Sequence, residues 1–174
     1  MTEASRPYLR FLGTAETATV LHDWHRWLQD NRGARAAMRR ARSVDEVWLE
    51  EAYSRLRLPL LPLAGFRDEA LARAAIAVAE VSEDTEDGLA ARAAASTHRG
   101  RAAVSADRIR LMLGAEDPDE FLRLLRGVLA MLDREVNLCD VADLVLSSHT
   151  PGGRAHNRKR VMLRYYETAD PAAL

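Results

Sequence analysis

Residues 117–132 read DPDEFLRLLRGVLAML. Asp117 before Pro118 predicts a helix start. The carboxylate can accept from the unpaired amides of the first turn, and proline at the first helical position gives up no bond. Phe121, Leu124, Leu125, Val128, Leu129 and Leu132 then recur at the spacing of a helix that buries one face.

The same grammar extends outward in both directions. Residues 15–30 carry Val20, Leu21, Trp24, Trp27 and Leu28 on one face, and Asn31, Arg32 and Gly33 break the pattern. Over 34–41, Ala34, Ala37, Met38 and Ala41 can turn inward, which leaves Arg35, Arg39, Arg40 and Arg42 outside. Ser43 with Glu46 has the spacing of a capping box, and Val47, Trp48, Ala52, Tyr53 and Leu56 follow as a buried face. Pro59 and Pro62 are expected to end this helix and force an extended crossing. Residues 68–81 form an alanine-rich helix with Leu71, Ala75, Val78 and Ala79 close-packed. The acidic stretch SEDTEDG, 82–88, reads as a loop between subdomains. A helical piece over 89–96 leads into the basic loop THRGR, 97–101. Ser105 is expected to cap 106–113, and Asn137 to cap 138–148. HTPGG, 149–153, is expected as a turn before a last helix at 154–167. No sustained alternation of period two and no hairpin signal occurs. The pattern predicts an all-α fold of eight or nine helices in two packed bundles, residues 1–87 and 88–174.

Composition narrows the class. Apolar residues make up 48% of the 174, enough for a packed interior, and charged residues 29%, an ordinary hydrated surface. No apolar run is long enough to span a membrane. The segment MTEASRPYLR lacks the apolar core of a secretory signal. The single cysteine, Cys139, excludes an internal disulfide and suits a reducing, cytoplasmic setting; its apolar neighbours predict a buried small hydrophobe.

Catalytic signals are sparse. His22 and His25 lie three apart and are expected as a surface pair, with no further ligands at metal spacing. His98, His149 and His156 are scattered, and no nucleophile-elbow, phosphate-loop or zinc-protease motif is present. No cofactor and no metal is predicted. Acids gather at 45–51, 80–87 and 116–120, at helix starts and in loops.

The positive charge is distributed unevenly. The formal net charge is -1, yet residues 32–42 (RGARAAMRRAR) and 154–164 (RAHNRKRVMLR) contain no acid, and 99–110 (RGRAAVSADRIR) contains Asp107 alone. All the cations but Lys159 are arginine, and a guanidinium can hold phosphate by two parallel bonds. One such stretch is an ordinary solvated helix face. Three in a neutral chain point to contact with a polyanion. In the last helix Arg154, Arg158 and Lys159 oppose Val161, Met162 and Tyr165. Tyr165 and Tyr166 read as a packing cap more than a base-stacking pair. A base-reading helix-turn-helix needs Asn, Gln or Ser on its exposed face; Asn157 is the main such residue here, which favours backbone contact over base readout.

The order of motifs resembles a known family. It runs W-x-x-W-L from Trp24, G-x-R-A-x-x-R-R from Gly33, V-W-x-x-x-A-Y-x-x-L from Val47 and S-A-D-R-I-R-L-M-L from Ser105. It continues with F-L-R-L-L-R from Phe121, V-N-L-C-D-V-A-D-L-V-L from Val136 and R-K-R-V-M-L-R-Y-Y from Arg158. Over roughly 20–166 the chain resembles the CasB family, the small subunit of the type I-E CRISPR Cascade complex. The resemblance implies an all-α pair of bundles and a non-catalytic subunit, present in two copies beside CRISPR RNA and other Cascade subunits. It implies arginine clamps on target and non-target DNA strands in an R-loop whose sequence is read by the guide. Carried across by position, the phosphate-contacting set is Arg39, Arg40, Arg67, Arg108, Arg123, Arg158, Lys159, Arg160 and Arg164. The outward helix faces add Arg35 and Arg154. Leu138 and His149 stand where the family commonly has tryptophans. Two alternatives remain at this point: a helical module whose arginines meet an acidic partner protein, and a small helical enzyme working through His22 and His25.

Overall fold

The computed structural model describes residues 7–169; the first six residues of the segment weighed above as a leader lie outside the described residues. The helices are α1 (Ala15–Asp30), α2 (Arg32–Arg40), α3 (Val44–Trp48), α4 (Glu51–Leu60), α5 (Asp68–Glu80), α6 (Leu89–Ala94), α7 (Ala106–Gly114), α8 (Pro118–Met131), α9 (Leu138–Ser148) and α10 (Pro151–Thr168). Among the described residues there are ten helices and only isolated β-bridges, so the fold is all-α. The helix expected after Ser43 is split at Leu49 and Glu50 into α3 and α4.

The caps predicted from sequence form. Ser43, Ser105, Asp117 and Asn137 each accept a backbone amide at the start of α3, α7, α8 and α9. The capping box is displaced by one residue, because the Glu46 carboxylate accepts from Arg42 N at 2.9 Å and not from Ser43. Two boundaries differ from expectation. Pro59 lies inside the last turn of α4, and the chain continues into a tight turn with Leu63 N donating to Leu60 O, not into an extended crossing. HTPGG contains the start of α10: Thr150 accepts from Gly153 N at 3.0 Å and Pro151 takes the first position. A Cβ at Gly153 would sit 1.9 Å from Ser147 O, so only glycine allows α10 to begin this close to the end of α9.

The axis of the molecule is α5. Only Asp68, Glu69 and Arg73 of its thirteen residues escape burial. Alanines at 70, 72, 74, 75, 77 and 79 keep its girth small on every side, so neighbouring helices can approach closely. Its most extensive contact is with α9, and α1, α2, α3, α4 and α8 also pack on it. On the far side of α9, α10 packs against α6, α7 and α9. Buried residues from before and after residue 87 join one cluster, from Leu9 and Leu21 to Val161 and Tyr165.

The acidic loop is anchored. Ser82 N donates to Arg134 O at 2.8 Å, Val136 N to Glu83 O at 3.1 Å and Leu138 N to the Asp84 carboxylate at 2.9 Å. The buried Asp140 carboxylate accepts from Leu89 N at 2.8 Å and pairs with Arg160 at 2.7 Å, which ties α6, α9 and α10 together. Opposite the loop, Asp133 and Arg134 both have positive φ, at 56° and 60°. Left-handed backbone at two consecutive non-glycine residues is held by Arg134 N donating to Leu129 O and by the bonds from Ser82.

Candidate nucleic-acid interface

Glu80 ends α5 in apolar surroundings, and its side chain is 8% exposed. A carboxylate this deep needs cations and hydrogen bonds to stay charged. Three arginines from three elements supply them. Arg126 of α8 contacts Oε1 through Nε at 2.9 Å and Nη2 at 2.8 Å. Arg39 of α2 contacts Oε2 through Nε at 3.0 Å, and Arg134 reaches the same oxygen through Nε at 3.4 Å. Arg126 also donates to the Arg39 carbonyl. Burial pushes the Glu80 pKa up, but the bonds and charge of Arg126 and Arg39 outweigh it and hold the carboxyl below its ordinary value. Arg35 joins the edge of the group, donating to Ala79 O at 3.2 Å and Val81 O at 3.1 Å across the end of α5.

The cations crowd one cleft of about 480 Å³, lined by Ala36, Arg39, Arg40, Glu80, Arg126, Gly127 and Arg134. Arg40 is exposed at its edge and has no ion pair with a described residue. Of the residues predicted from sequence, Arg35, Arg39 and Arg40 meet here. Arg126 and Arg134 were not predicted. Their signal was indirect: Glu80 is the one acid in the run LARAAIAVAEV, 71–81, and a buried acid implies cations arriving from elsewhere.

The other predicted residues lie on other elements. Arg154 donates to Ser148 O at 3.3 Å, beside the end of α9, where a cation offsets the helix dipole. Burial and the nearby Arg73 and Arg67 lower the His149 pKa to about 4, so Arg67 lies by the same helix end. Arg158 and Lys159 are exposed on α10 with no ion pair to a described residue, whereas Arg160 is held by Asp140. Arg164 pairs loosely with Glu167 at 3.6 Å, and Arg123 with Glu120 at 3.7 Å. Arg108 lies 3.1 Å from the Met131 sulfur. The α2 group packs on the α5 flank and the α10 group on the α9 flank.

The tyrosine pair divides. Tyr165 is buried and donates to Val104 O at 2.8 Å, while the exposed Tyr166 ring meets it edge-on and lies 5.9 Å from the Arg110 guanidinium. The histidine pair, expected at the surface, also divides. His25 is 7% exposed and donates to Val81 O at 2.9 Å, with its pKa lowered by burial, because the helix turns it toward α5. His22 stays at the surface with Asp84 at 3.1 Å and Cys139 Sγ at 3.7 Å. That sequence of thiol, imidazole and carboxylate has the order of a nucleophilic relay. Burial and the charges of Asp143, Asp84 and Asp140 push the Cys139 thiol up to about 12, which opposes thiolate formation. Among the described residues, no group of three or more His, Cys, Asp or Glu could hold a metal ion, and no helix is long and apolar enough to cross a membrane.

No curated protein and no solved structure matches the chain. A family model described as CRISPR-associated protein Cse2 matches residues 34–166, from α2 through all but the last residues of α10. That span takes in both basic helices, α5 with its Glu80 and the arginines gathered on it, and the chain belongs to the CRISPR-associated protein Cse2 family, the CasB small subunit of the type I-E Cascade complex.

Proposed function

We propose that this chain is a non-catalytic clamp that holds nucleic-acid backbone within Cascade, stabilising the guide RNA–target DNA R-loop and the displaced strand without reading sequence. One observation carries the reading: α2 and residues 151–166 of α10 present Arg32, Arg40, Arg158 and Lys159 to solvent, with no acid on either segment to neutralise them. Guanidinium groups left without a carboxylate keep their donors for phosphate oxygens. CRISPR RNA, the two DNA strands and a second copy of the chain are the partners this role calls for, in a cytoplasmic complex with the other Cascade subunits. By position, Arg67, Arg108, Arg123, Arg154 and Arg164 would widen the contact track beyond the two main groups. The halves 1–87 and 88–174 would then each contribute one basic helix to it.

The test separates clamping from docking on an acidic partner. Cascade is assembled with Arg158→Glu/Lys159→Glu chain and challenged with target duplex. The expected result is normal assembly with R-loop formation weakened by about tenfold or more. Failed assembly, with nucleic-acid binding by the isolated variant unchanged, would instead assign α10 to a protein partner.

A further inference from the structure

The cleft at Glu80 is more ordered than a patch of surface charge. Arg39, Arg126 and Arg134 each direct Nε at the Glu80 carboxylate. The Nη groups of Arg39 and Arg134, and Nη1 of Arg126, have no partner among the described residues. The arginine side chains are 35%, 39% and 30% exposed and that of Glu80 only 8%, so the cations reach solvent where the carboxylate does not. Arg40 also lines the cleft. The floor and walls are small: Ala36 on α2 and Gly127 on α8. The positive φ of Arg134 brings the last cation back over the end of α5.

We propose that this cleft is a seat for a single backbone phosphate, and that Glu80 is its positioning residue, turning the Nη ends of Arg39, Arg126 and Arg134 toward one point. The inference rests on the clamp reading above and deepens it. A phosphodiester carries one negative charge and two unbridged oxygens, which suits convergent Nη donors from more than one arginine. Without Glu80 the guanidinium groups would repel one another and spread. The carboxylate therefore lowers the positive charge of the site while raising its order, and the two effects act on binding with opposite sign.

That opposition makes the inference testable on the full chain, using a fluorescein-labelled oligodeoxythymidylate titrated at several salt concentrations. Glu80→Gln adds one net positive charge. If Glu80 only neutralised, the variant would bind tighter; if it positions, the variant binds several-fold more weakly. Because Glu80→Gln can also loosen the fold, Gly127→Glu provides an independent arm. A Cβ at Gly127 meets nothing within 4 Å, and glycine inside a helix is replaced by a better helix former. Gly127 lines the cleft, so the substitution adds a negative charge at its wall. The expected result is a loss of about tenfold in affinity and a log–log salt slope shallower by about 0.7, the share of one phosphate on a single strand. Thr19→Glu, on the exposed face of α1, makes the same type of charge change away from the cleft and should leave the slope unchanged. Tighter binding by Glu80→Gln, or a Gly127→Glu slope equal to that of Thr19→Glu, overturns the seat. If those results come while Arg158→Glu/Lys159→Glu still weakens binding, only the seat fails. Absence of salt-dependent binding by the unaltered chain would remove the clamp reading itself.

Discussion

The two basic regions, the cleft at Glu80 and the outer face of α10, use the same side chain in opposite ways. At Glu80 the arginines converge from α2, α8 and the turn after α8 onto one buried carboxylate, and their posture is set by tertiary contacts. On α10, Arg158 and Lys159 project from one continuous helix into solvent and have no ion pair with a described residue. The first arrangement ties the arginines to the stability of the fold. The second leaves the core almost untouched. Exposure alone therefore does not rank the proposed contacts: a half-buried arginine held by an acid has already lost side-chain entropy, whereas a free one loses it on each contact.

The sharpest way to break the comparison is Glu80→Ala. Removing the shared carboxylate strands three cations at the end of α5, and chemical denaturation should show a loss of about 3 kcal/mol. An intact stability would mean that the arginines, like those of α10, do not depend on the core.

Acid should act at a third place, the end of α9, and on neither basic region. The His149 pKa falls to about 4 in the folded protein, because burial, Arg73 and Arg67 disfavour the cation. Its unfolded value is about 6.5. Between those two pH values the unfolded chain binds a proton that the native chain refuses, so stability is fully present above the upper value and declines as pH falls toward the lower one. His149→Phe should flatten thermal stability across that window, while changes at Arg158 and Lys159 leave the acid response as it was.

A smaller effect is expected at the turn that delivers Arg134. Asp133 has φ at 56°, where glycine is favoured. Asp133→Gly should raise stability by about 1 kcal/mol and leave binding unchanged, since the posture of Arg134 is kept. Loss of affinity in this variant would mean that Asp133 itself shapes the cleft. The smallest stability change belongs to Arg158→Ala/Lys159→Ala, within about 0.5 kcal/mol of the unaltered chain by denaturant titration.

The same contrast explains what could be learned from sequence. Helix starts at Ser43, Ser105, Asp117 and Asn137 are local chemistry between a side chain and amides within three residues, and they were legible. The stripe through Phe121 and Leu125 was legible for the same reason. The start of α10 was not, because two glycines look like a turn unless one knows that Gly153 must clear Ser147 O. The α10 cations and the Arg39–Arg40 pair stood out as acid-free runs. Arg126 and Arg134 were hidden, since their role depends on an acid 46 and 54 residues away in the chain. His25 was read as exposed because its burial is set by α5 packing across the helix, which no local pattern records.

The central claim is that these arginines grip backbone and ignore bases. Salt titrations of the unaltered chain on two unrelated single strands of equal length test it most directly. Backbone grip predicts the same affinity for both strands and the same steep decline with salt, about 0.7 in log–log slope for each phosphate held. Affinity that does not move with salt, or one strand held far more tightly than the other at every salt concentration, would contradict it.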